Sequence, residues 1–157
     1  MKADLGIPDQ NIQEIVTALN QLLADEYVLY TKTRNVHWNI GGPNFFELHV
    51  FFENQYNALN EIIDDIAERI RTLGHFALGS LKDFLKVKNL SEENYDFSDS
   101  KKIFQTLVND HEKIIRIIRN EVIPISDKYN DLGTADFVTD LMERHEKMAW
   151  MHRSFIS

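Results

Sequence analysis

The 157-residue sequence contains no cysteine, only six glycines and only three prolines. The absence of cysteine excludes disulfides, thiolate metal sites and cysteine nucleophiles. Because glycine and proline punctuate helices and strands, their scarcity favours long uninterrupted elements. No apolar run reaches the length of a membrane span, and the first ten residues, MKADLGIPDQ, lack the apolar core of a signal peptide. We therefore expect a cytoplasmic protein without a membrane-spanning segment.

Positive charge is also scarce. The chain has 17 Lys and Arg against 25 Asp and Glu, a formal net charge of -8. This balance argues against general nucleic-acid binding, which depends on basic contacts to phosphate, and it is compatible with attracting cations. Hydrophobic residues make up 43% of the chain and charged residues 27%. These proportions and the length predict a single globular domain, residues 1–157, with a sizeable core.

Apolar residues recur at helical spacing over four long segments, and no alternation typical of strands is visible. The predicted long helices span about residues 10–39, 45–73 and 99–122, with a fourth from about Thr134 almost to the C-terminus. The Gly-Gly-Pro sequence after the first helix ends it, and Asn44 can cap the second. Gly74 is expected just past the end of the second helix and Pro124 just past the end of the third.

The connection between the second and third helices, residues 74–99, is long enough to cross the bundle. Within it, LKDFLKV follows Gly79-Ser80 and predicts a short extra helix, whereas residues 91–98 read as a polar loop. Two rows of apolar residues spaced by seven along the second helix indicate near-parallel or antiparallel packing. The predicted fold class is therefore an all-α four-helix bundle with a short extra helix in this connection.

The second helix carries one imidazole and three carboxylates on one flank. With His49 at zero on a helical wheel, Glu53 falls at about +40°, Asp64 at about +60° and Glu68 at about +100°. Within each pair, His49 with Glu53 and Asp64 with Glu68, the residues are one turn apart and can hold one ion. Imidazole combined with carboxylate oxygen suits iron, manganese or zinc better than a dedicated calcium cage.

The two pairs are too far apart along one helix to share a metal. His49 and Asp64 are separated by about 22 Å at the rise of an α-helix, whereas metal–ligand bonds measure about 2 Å. A shared site would require a second subunit in an antiparallel two-fold contact. Because the Gly-Gly-Pro turn makes the first two helices antiparallel neighbours, His37 is expected close to His49.

Each of these residues also has a purely structural interpretation. A single histidine on an apolar stripe is more often a core or interface residue, and acidic pairs on a helix are usually solvated. The histidines interpreted as structural, with no carboxylate pattern beside them, are His111, His145 and His152. His75 is interpreted as a surface residue at a helix end and Trp150 as core or interface. The aromatic residues of FFELHVFF are most simply interpreted as core.

Over nearly its whole length the sequence resembles the Dps family of small ferritin-like proteins. The resemblance lies in NVHW, GGPNFFELHVFFE, EIIDDIAERIRTLG, GTADFVTDL and HEKMAWMHRSF, and in the 12-residue step from one histidine to the next. It implies a hollow dodecamer with ferroxidase centres at two-fold subunit interfaces. The implied ligands are His37, His49 and Glu53 of one subunit, with Asp64 and Glu68 supplied by the second.

The same resemblance implies that Fe²⁺ is bound at these centres, up to two ions in each, oxidised preferably by hydrogen peroxide, and stored as ferric oxide. The family often has Asp where this chain has Glu53, which places the second iron position in question. Trp38 either intercepts stray oxidant or packs at the helix end. The acidic residues near the start of the fourth helix are candidates for lining an iron-entry pore, or for helix capping alone; they are Asp127, Asp131 and Asp136.

Family members that bind DNA often use a tail rich in Lys and Arg. Here the segment before the first helix has one basic side chain, Lys2, and the sequence ends soon after the fourth helix. We therefore expect DNA binding to be weak or absent. Two other functions stay open: a DNA-coating cage with little ferroxidase activity, and a helical bundle without redox metal that acts through protein contacts.

Overall fold

Four long helices and two short ones form the chain in the computed structural model, which describes residues 3–157; Met1 and Lys2 lie outside the described residues. The helices are α1 (Asp9–Asn39), α2 (Phe45–Thr72), α3 (Leu81–Val87), α4 (Ser100–Ile117), α5 (Ile123–Lys128) and α6 (Leu132–Arg153). Residues 3–157 contain no strand. The all-helical prediction, with a short extra helix between the second and third long helices, is confirmed. None of the described helices is long and apolar enough to cross a membrane.

The core is built from apolar stripes that face one another across the bundle. One of the two predicted rows spaced by seven residues is buried along α2 and at its C-cap. Its members Phe52, Leu59, Ile66 and Leu73 are each at most 2% exposed. Phe45, the first member of the row, is 46% exposed and lies outside the core. The row therefore buries α2 along most of its length but leaves its first turn open.

The end of α2 follows the prediction for Gly74. This glycine has a positive φ of 89°, which residues with a side chain rarely adopt. Its N–H donates to Arg71 O at 3.0 Å, and the N–H of His75 donates to Ile70 O at 3.3 Å. These two bonds satisfy carbonyls that the helix itself leaves without a partner.

The predicted end of the third long helix before Pro124 is wrong. After α4, the chain continues through a π-helical turn, Ile118–Val122, directly into α5, where Pro124 is the second residue. Proline lacks an N–H and is tolerated in the first turn of a helix, where that N–H has no intrahelical partner. The wider π turn, which bonds over five residues, thus starts a new helix at a position where the proline fits.

Buried polar residues of α1 hold the long connection and α4 in place. Asp25, fully buried, accepts hydrogen bonds from Asn89 N at 2.6 Å, Leu90 N at 2.8 Å and Asn89 Nδ2 at 3.0 Å. Lys32 forms a 2.5 Å ion pair with Asp110 of α4. Burial raises the pKa of the Asp110 carboxyl, although its hydrogen bond with Lys32 acts in the opposite direction. Polar contacts therefore fix where the connection crosses α1.

Replacing Asp25 with Ala is expected to lower the free energy of unfolding by about 3 kcal/mol, because it leaves buried N–H groups of the connection without an acceptor. Urea denaturation followed by circular dichroism measures the change. Asp140→Ala, which removes an exposed carboxylate of α6, is the matched control and should change stability by less than about 0.5 kcal/mol. Equal effects of the two substitutions would contradict this account of Asp25.

Candidate metal centre

Two histidines meet where α1 ends and α2 begins. The intervening turn includes Gly42, whose φ is 99°, and it returns the chain so that α2 packs beside α1. His37, in the last turn of α1, and His49, in α2, stack with ring centroids 3.8 Å apart and planes 24° from parallel. The sequence-based expectation that these two residues approach each other agrees with this geometry.

The two imidazoles form reciprocal hydrogen bonds with the backbone. The Nδ1–H of His37 donates to His49 O at 2.9 Å, and the Nδ1–H of His49 donates to His37 O at 3.0 Å. A carbonyl oxygen only accepts, so each Nδ1 must carry its proton. In the neutral rings both Nε2 atoms then keep a free lone pair, which is the form of histidine that binds metals.

Aromatic side chains and one guanidinium surround the pair. The Tyr56 ring lies edge-on to His37 at a centroid distance of 5.1 Å, and the Phe45 ring lies 5.1 Å from His49. The guanidinium of Arg34 lies 4.9 Å from the Tyr56 ring centroid and 5.0 Å from that of Trp38. Trp38 itself is 63% exposed. Aromatic rings thus pack against both imidazoles of the pair.

The interpretation of FFELHVFF as core is only partly right. Phe52 is fully buried and Phe51 half-buried, but Phe45 and Phe46 are 46% and 73% exposed. The first turn of α2 extends past the buried part of the helix, so its large side chains stay open to solvent in the single chain. Large apolar side chains exposed around a site are typical of a surface that a partner covers. Trp150, interpreted as core or interface, is 60% exposed.

Asp64 and Glu68 do not reach the histidines within one chain. Glu53 lies one turn after His49 and is exposed, and Asp64 and Glu68 are exposed farther along the same helix. Within residues 3–157, no three His, Asp or Glu side chains are grouped so that they could hold a metal ion. The chain therefore brings two candidate nitrogen ligands together and keeps Asp64 and Glu68 away from them, as expected from the helix rise. Glu53 stays one turn from His49, but the three side chains do not form a metal-binding group within the described residues.

The three acidic residues proposed for a pore occupy different environments. Asp131 is buried, caps α6 through Thr134 N at 3.0 Å, and pairs with Arg69 at 3.1 Å. Asp127 and Asp136 are exposed. The carboxylate of Asp131 is thus already engaged in structure, and the pore role of the three residues stays a prediction.

A buried carboxylate beside His145 escaped the sequence analysis. Glu26 of α1 is fully buried, and its Oε1 lies 2.8 Å from Nε2 of His145, also fully buried. The interpretation that no carboxylate accompanies the buried histidines is therefore wrong. The available signal was the position of Glu26 between Leu22 and Leu29, where a helical stripe is otherwise apolar.

Comparisons with known proteins agree with this architecture. A family model described as a ferritin-like domain matches residues 16–157. The chain is 45% identical over 155 residues to an uncharacterized low temperature-induced protein of Nostoc sp., covering 99% of this chain and 87% of that protein. It is 31% identical over 145 residues to DNA protection during starvation protein 2 of Bacillus anthracis, covering 92% of this chain and 98% of that protein.

A solved structure is similar over the full length. The Dps protein of Vibrio cholerae O1 is 33% identical, with a TM-score of 0.92, and the match covers 100% of this chain and 98% of that one. That protein is described as a member of a broad superfamily of ferritin-like diiron-carboxylate proteins.

Removing either histidine of the pair is expected to weaken metal binding. His37→Ala and His49→Ala should each lower the affinity for Zn²⁺ by about tenfold or more, because each removes a neutral imidazole and the stacked ring that packs against the other imidazole. Isothermal titration calorimetry with Zn²⁺ measures this loss. His75→Ala removes a histidine that pairs with Asp9 at 3.4 Å instead, and it should leave the affinity unchanged. Unchanged affinity in both pair variants would remove the two imidazoles from the site.

Proposed function

Since the chain belongs to the Dps family of ferritin-like proteins, we propose that it oxidises Fe²⁺ at centres shared between two subunits and stores the ferric product in a hollow homo-oligomer. Family membership supports iron storage and protection as the broad role. The finer proposal rests mainly on one observation, the pair of imidazoles whose Nδ1 protons are bonded to backbone and whose Nε2 atoms are free. Such rings are prepared as ligands before any metal arrives.

The proposed centre is completed across a two-fold axis. His37, His49 and Glu53 come from one subunit, and Asp64 and Glu68 come from the other, because the helix rise keeps the two groups apart in one chain. An antiparallel contact between two copies of α2 sets the start of one against the later part of the other and gives two equivalent centres. The exposed Phe46 and Trp38 beside the histidines supply apolar surface for such a contact.

Fe²⁺ is the substrate and, once oxidised, the cargo. The imidazole nitrogens suit Fe²⁺, and the carboxylates stabilise Fe³⁺ more strongly because its charge is higher. Two Fe²⁺ ions supply both electrons that convert hydrogen peroxide and two protons into two water molecules, so no hydroxyl radical forms. Glu53 carries one more methylene than the Asp common in the family, which moves its oxygens by about one bond length. We propose that this residue tunes the second iron position.

Iron entry is proposed to follow acidic residues near the start of α6. Exposed carboxylates in a narrow passage raise the local concentration of cations, and Asp127 and Asp136 are exposed. Asp131 lies beside them but is paired with Arg69, so its contribution is mainly to hold the N-terminus of α6. In the proposed dodecamer these residues would line the three-fold axes.

Replacing either acidic ligand is expected to abolish the fast phase of iron oxidation. Asp64→Ala and Glu68→Ala each remove an oxygen ligand, and stopped-flow absorbance after mixing Fe²⁺ with hydrogen peroxide without oxygen follows the ferric product. Glu61→Ala is the matched control, because Glu61 is an exposed acid of α2 that pairs with Arg144 at 3.6 Å. A fast phase that survives in both ligand variants would exclude these residues from the centre.

Mixing two inactive variants tests whether the centre is shared. One variant carries His37→Ala and His49→Ala, and the other carries Asp64→Ala and Glu68→Ala. After unfolding and joint refolding, the mixture should recover about a quarter of the wild-type rate, because half of the pairs are mixed and each mixed pair regains one of two centres. No recovery in a mixture whose light scattering shows normal assembly would place the ligands within single chains.

DNA coating is the alternative role, and the names of relatives such as that of Bacillus anthracis favour testing it. The net charge of -8 per chain opposes it, because many copies in one assembly would repel phosphate. We expect no retention of DNA in a mobility-shift titration at about 150 mM salt, where non-specific electrostatic binding is already weak. Retention at that salt would favour the DNA-coating role.

A further inference from the structure

Three helices of the bundle meet at a buried chain of polar groups. Glu26 of α1, His145 of α6 and His111 of α4 are all fully buried. Glu26 Oε1 lies 2.8 Å from His145 Nε2, and His145 Nδ1 lies 2.9 Å from His111 Nδ1. We call these three residues the buried histidine chain. It lies in the interior of one subunit and is separate from the proposed iron centre.

Among residues 3–157, no charged group other than His145 forms an ion pair with Glu26. Within the described part of the sequence, neither of its oxygens has a hydrogen-bond partner, and its one ion-pair partner is His145. Asp25 on α1 faces the crossing connection, and Lys32 on α1 pairs with Asp110 of α4. Because an unpaired buried carboxylate is costly, a proton must lie between Glu26 Oε1 and His145 Nε2. The imidazole is the stronger base of the two in water.

The remaining neighbours are apolar or neutral. His152, also on α6 and fully buried, has its ring 5.2 Å from that of His111 and contacts Phe51 and Phe52 of α2 and Phe104 of α4. Gln55, the buried polar residue of α2, is uncharged. Within the described residues, the titratable groups that act on His111 are His145 and His152, and Glu26 pairs with His145.

The contact between the two Nδ1 atoms has room for one hydrogen. When His145 is an imidazolium, its Nδ1–H donates to His111 Nδ1, and the proton of His111 resides on Nε2. A further proton on His111 Nδ1 would set two N–H groups against each other at 2.9 Å and turn this contact repulsive. Relative to the state with an ionised Glu26 and two neutral imidazoles, the buried histidine chain therefore binds one additional proton. Binding of a second additional proton is unfavourable.

The same groups do not form a metal cage. His145 lies between Glu26 and His111, so its two nitrogens face opposite neighbours, and three metal-binding side chains do not converge at any point within residues 3–157. A proton between each pair of atoms accounts for both short contacts.

We propose that the buried histidine chain is an acid-sensitive link that joins α1, α4 and α6 while His145 is charged and separates when a further proton enters. Burial, with the charge on His145 as a further cause, holds the pKa of His111 well below its usual range. Burial also lowers the pKa of His152 to about 3. The unfolded chain therefore binds more protons than the folded chain below about pH 6.5, so stability falls as the pH decreases through this range.

The test is the pH dependence of urea unfolding for the full chain at one protein concentration, between pH 6 and pH 5. Each proton taken up on unfolding raises the unfolding constant by about tenfold per pH unit. In His111→Leu the increase in the unfolding constant from pH 6 to pH 5 should be about tenfold smaller than in the wild type, because one buried neutral imidazole is gone. In Glu26→Gln the same increase should be about tenfold larger than in the wild type, because His145 is no longer held charged in the folded state.

His152→Phe is the matched control, because it removes a buried imidazole but leaves the chain intact. In that background Glu26→Gln should keep its effect. A dependence in Glu26→Gln equal to or weaker than that of the wild type would overturn the proposal. Stabilisation by Zn²⁺ that persists in a variant lacking His37 and His49 but disappears in Glu26→Gln would also overturn the proposal, because the buried histidine chain would then be a cation site.

A second measurement needs no substitution in the chain. Nitrogen chemical shifts of ¹⁵N-labelled histidine rings distinguish a doubly protonated ring from each neutral tautomer. At pH 7 we expect one imidazolium, His145, and a neutral His111 protonated on Nε2, with the ring signals of the wild-type protein assigned by through-bond correlation to each residue. A neutral His145 at this pH would overturn the proposal even if no variant folds.

Discussion

Two imidazole rings, each bonded to the backbone carbonyl of the other residue, join the end of α1 to the start of α2. The carbonyl of His37 lies in the last turn of α1, where the helix provides no N–H to satisfy it. His49 supplies that missing donor, and His37 returns the bond. One pair of contacts thus completes a helix end, sets the angle between two helices and selects the tautomer of both rings. The candidate centre depends on these two reciprocal hydrogen bonds.

Helix α1 orders the rest of the bundle through three inward polar side chains. Asp25 faces the connection, Glu26 faces α6, and Lys32 faces α4. Each is matched by a group of opposite character on a different element. A mispacked bundle would leave one of them buried without its partner, which costs more than the loss of an apolar contact. These residues therefore favour one arrangement of helices over alternatives with equally apolar interiors.

Periodicity predicted the long helices because burial of an apolar stripe is a local property of the sequence. It failed at Pro124, where a π turn changes the register before the proline, and no residue pattern announces that turn. It also failed at Phe46, since whether a large apolar residue is buried depends on how far the neighbouring helix extends. Glu26 and His145 are 119 positions apart in the sequence, and spacing alone carries no information about contacts over that distance.

The candidate site, like the fold, was predictable from the sequence only in part. His37 and His49 follow one tight turn, so their approach was predictable from the sequence. Their reciprocal bonds were not, because these depend on ring orientation. The proposed pairing of Asp64 and Glu68 with the histidines would involve a second molecule, and the helix rise establishes only that one chain cannot bring them together.

The hydrogen bonds from Asn89 and Leu90 to Asp25 anchor the long connection and divide it into two shorter spans. The entropic cost of closing a loop grows only slowly with its length, and the span after the anchor begins with exposed residues, Glu92 to Asn94. Extra residues inserted there would leave the anchor and α3 undisturbed. Homologous chains can thus differ in length at this point without altering the bundle, and a peptide tag or a reporter domain fits there for the same reason.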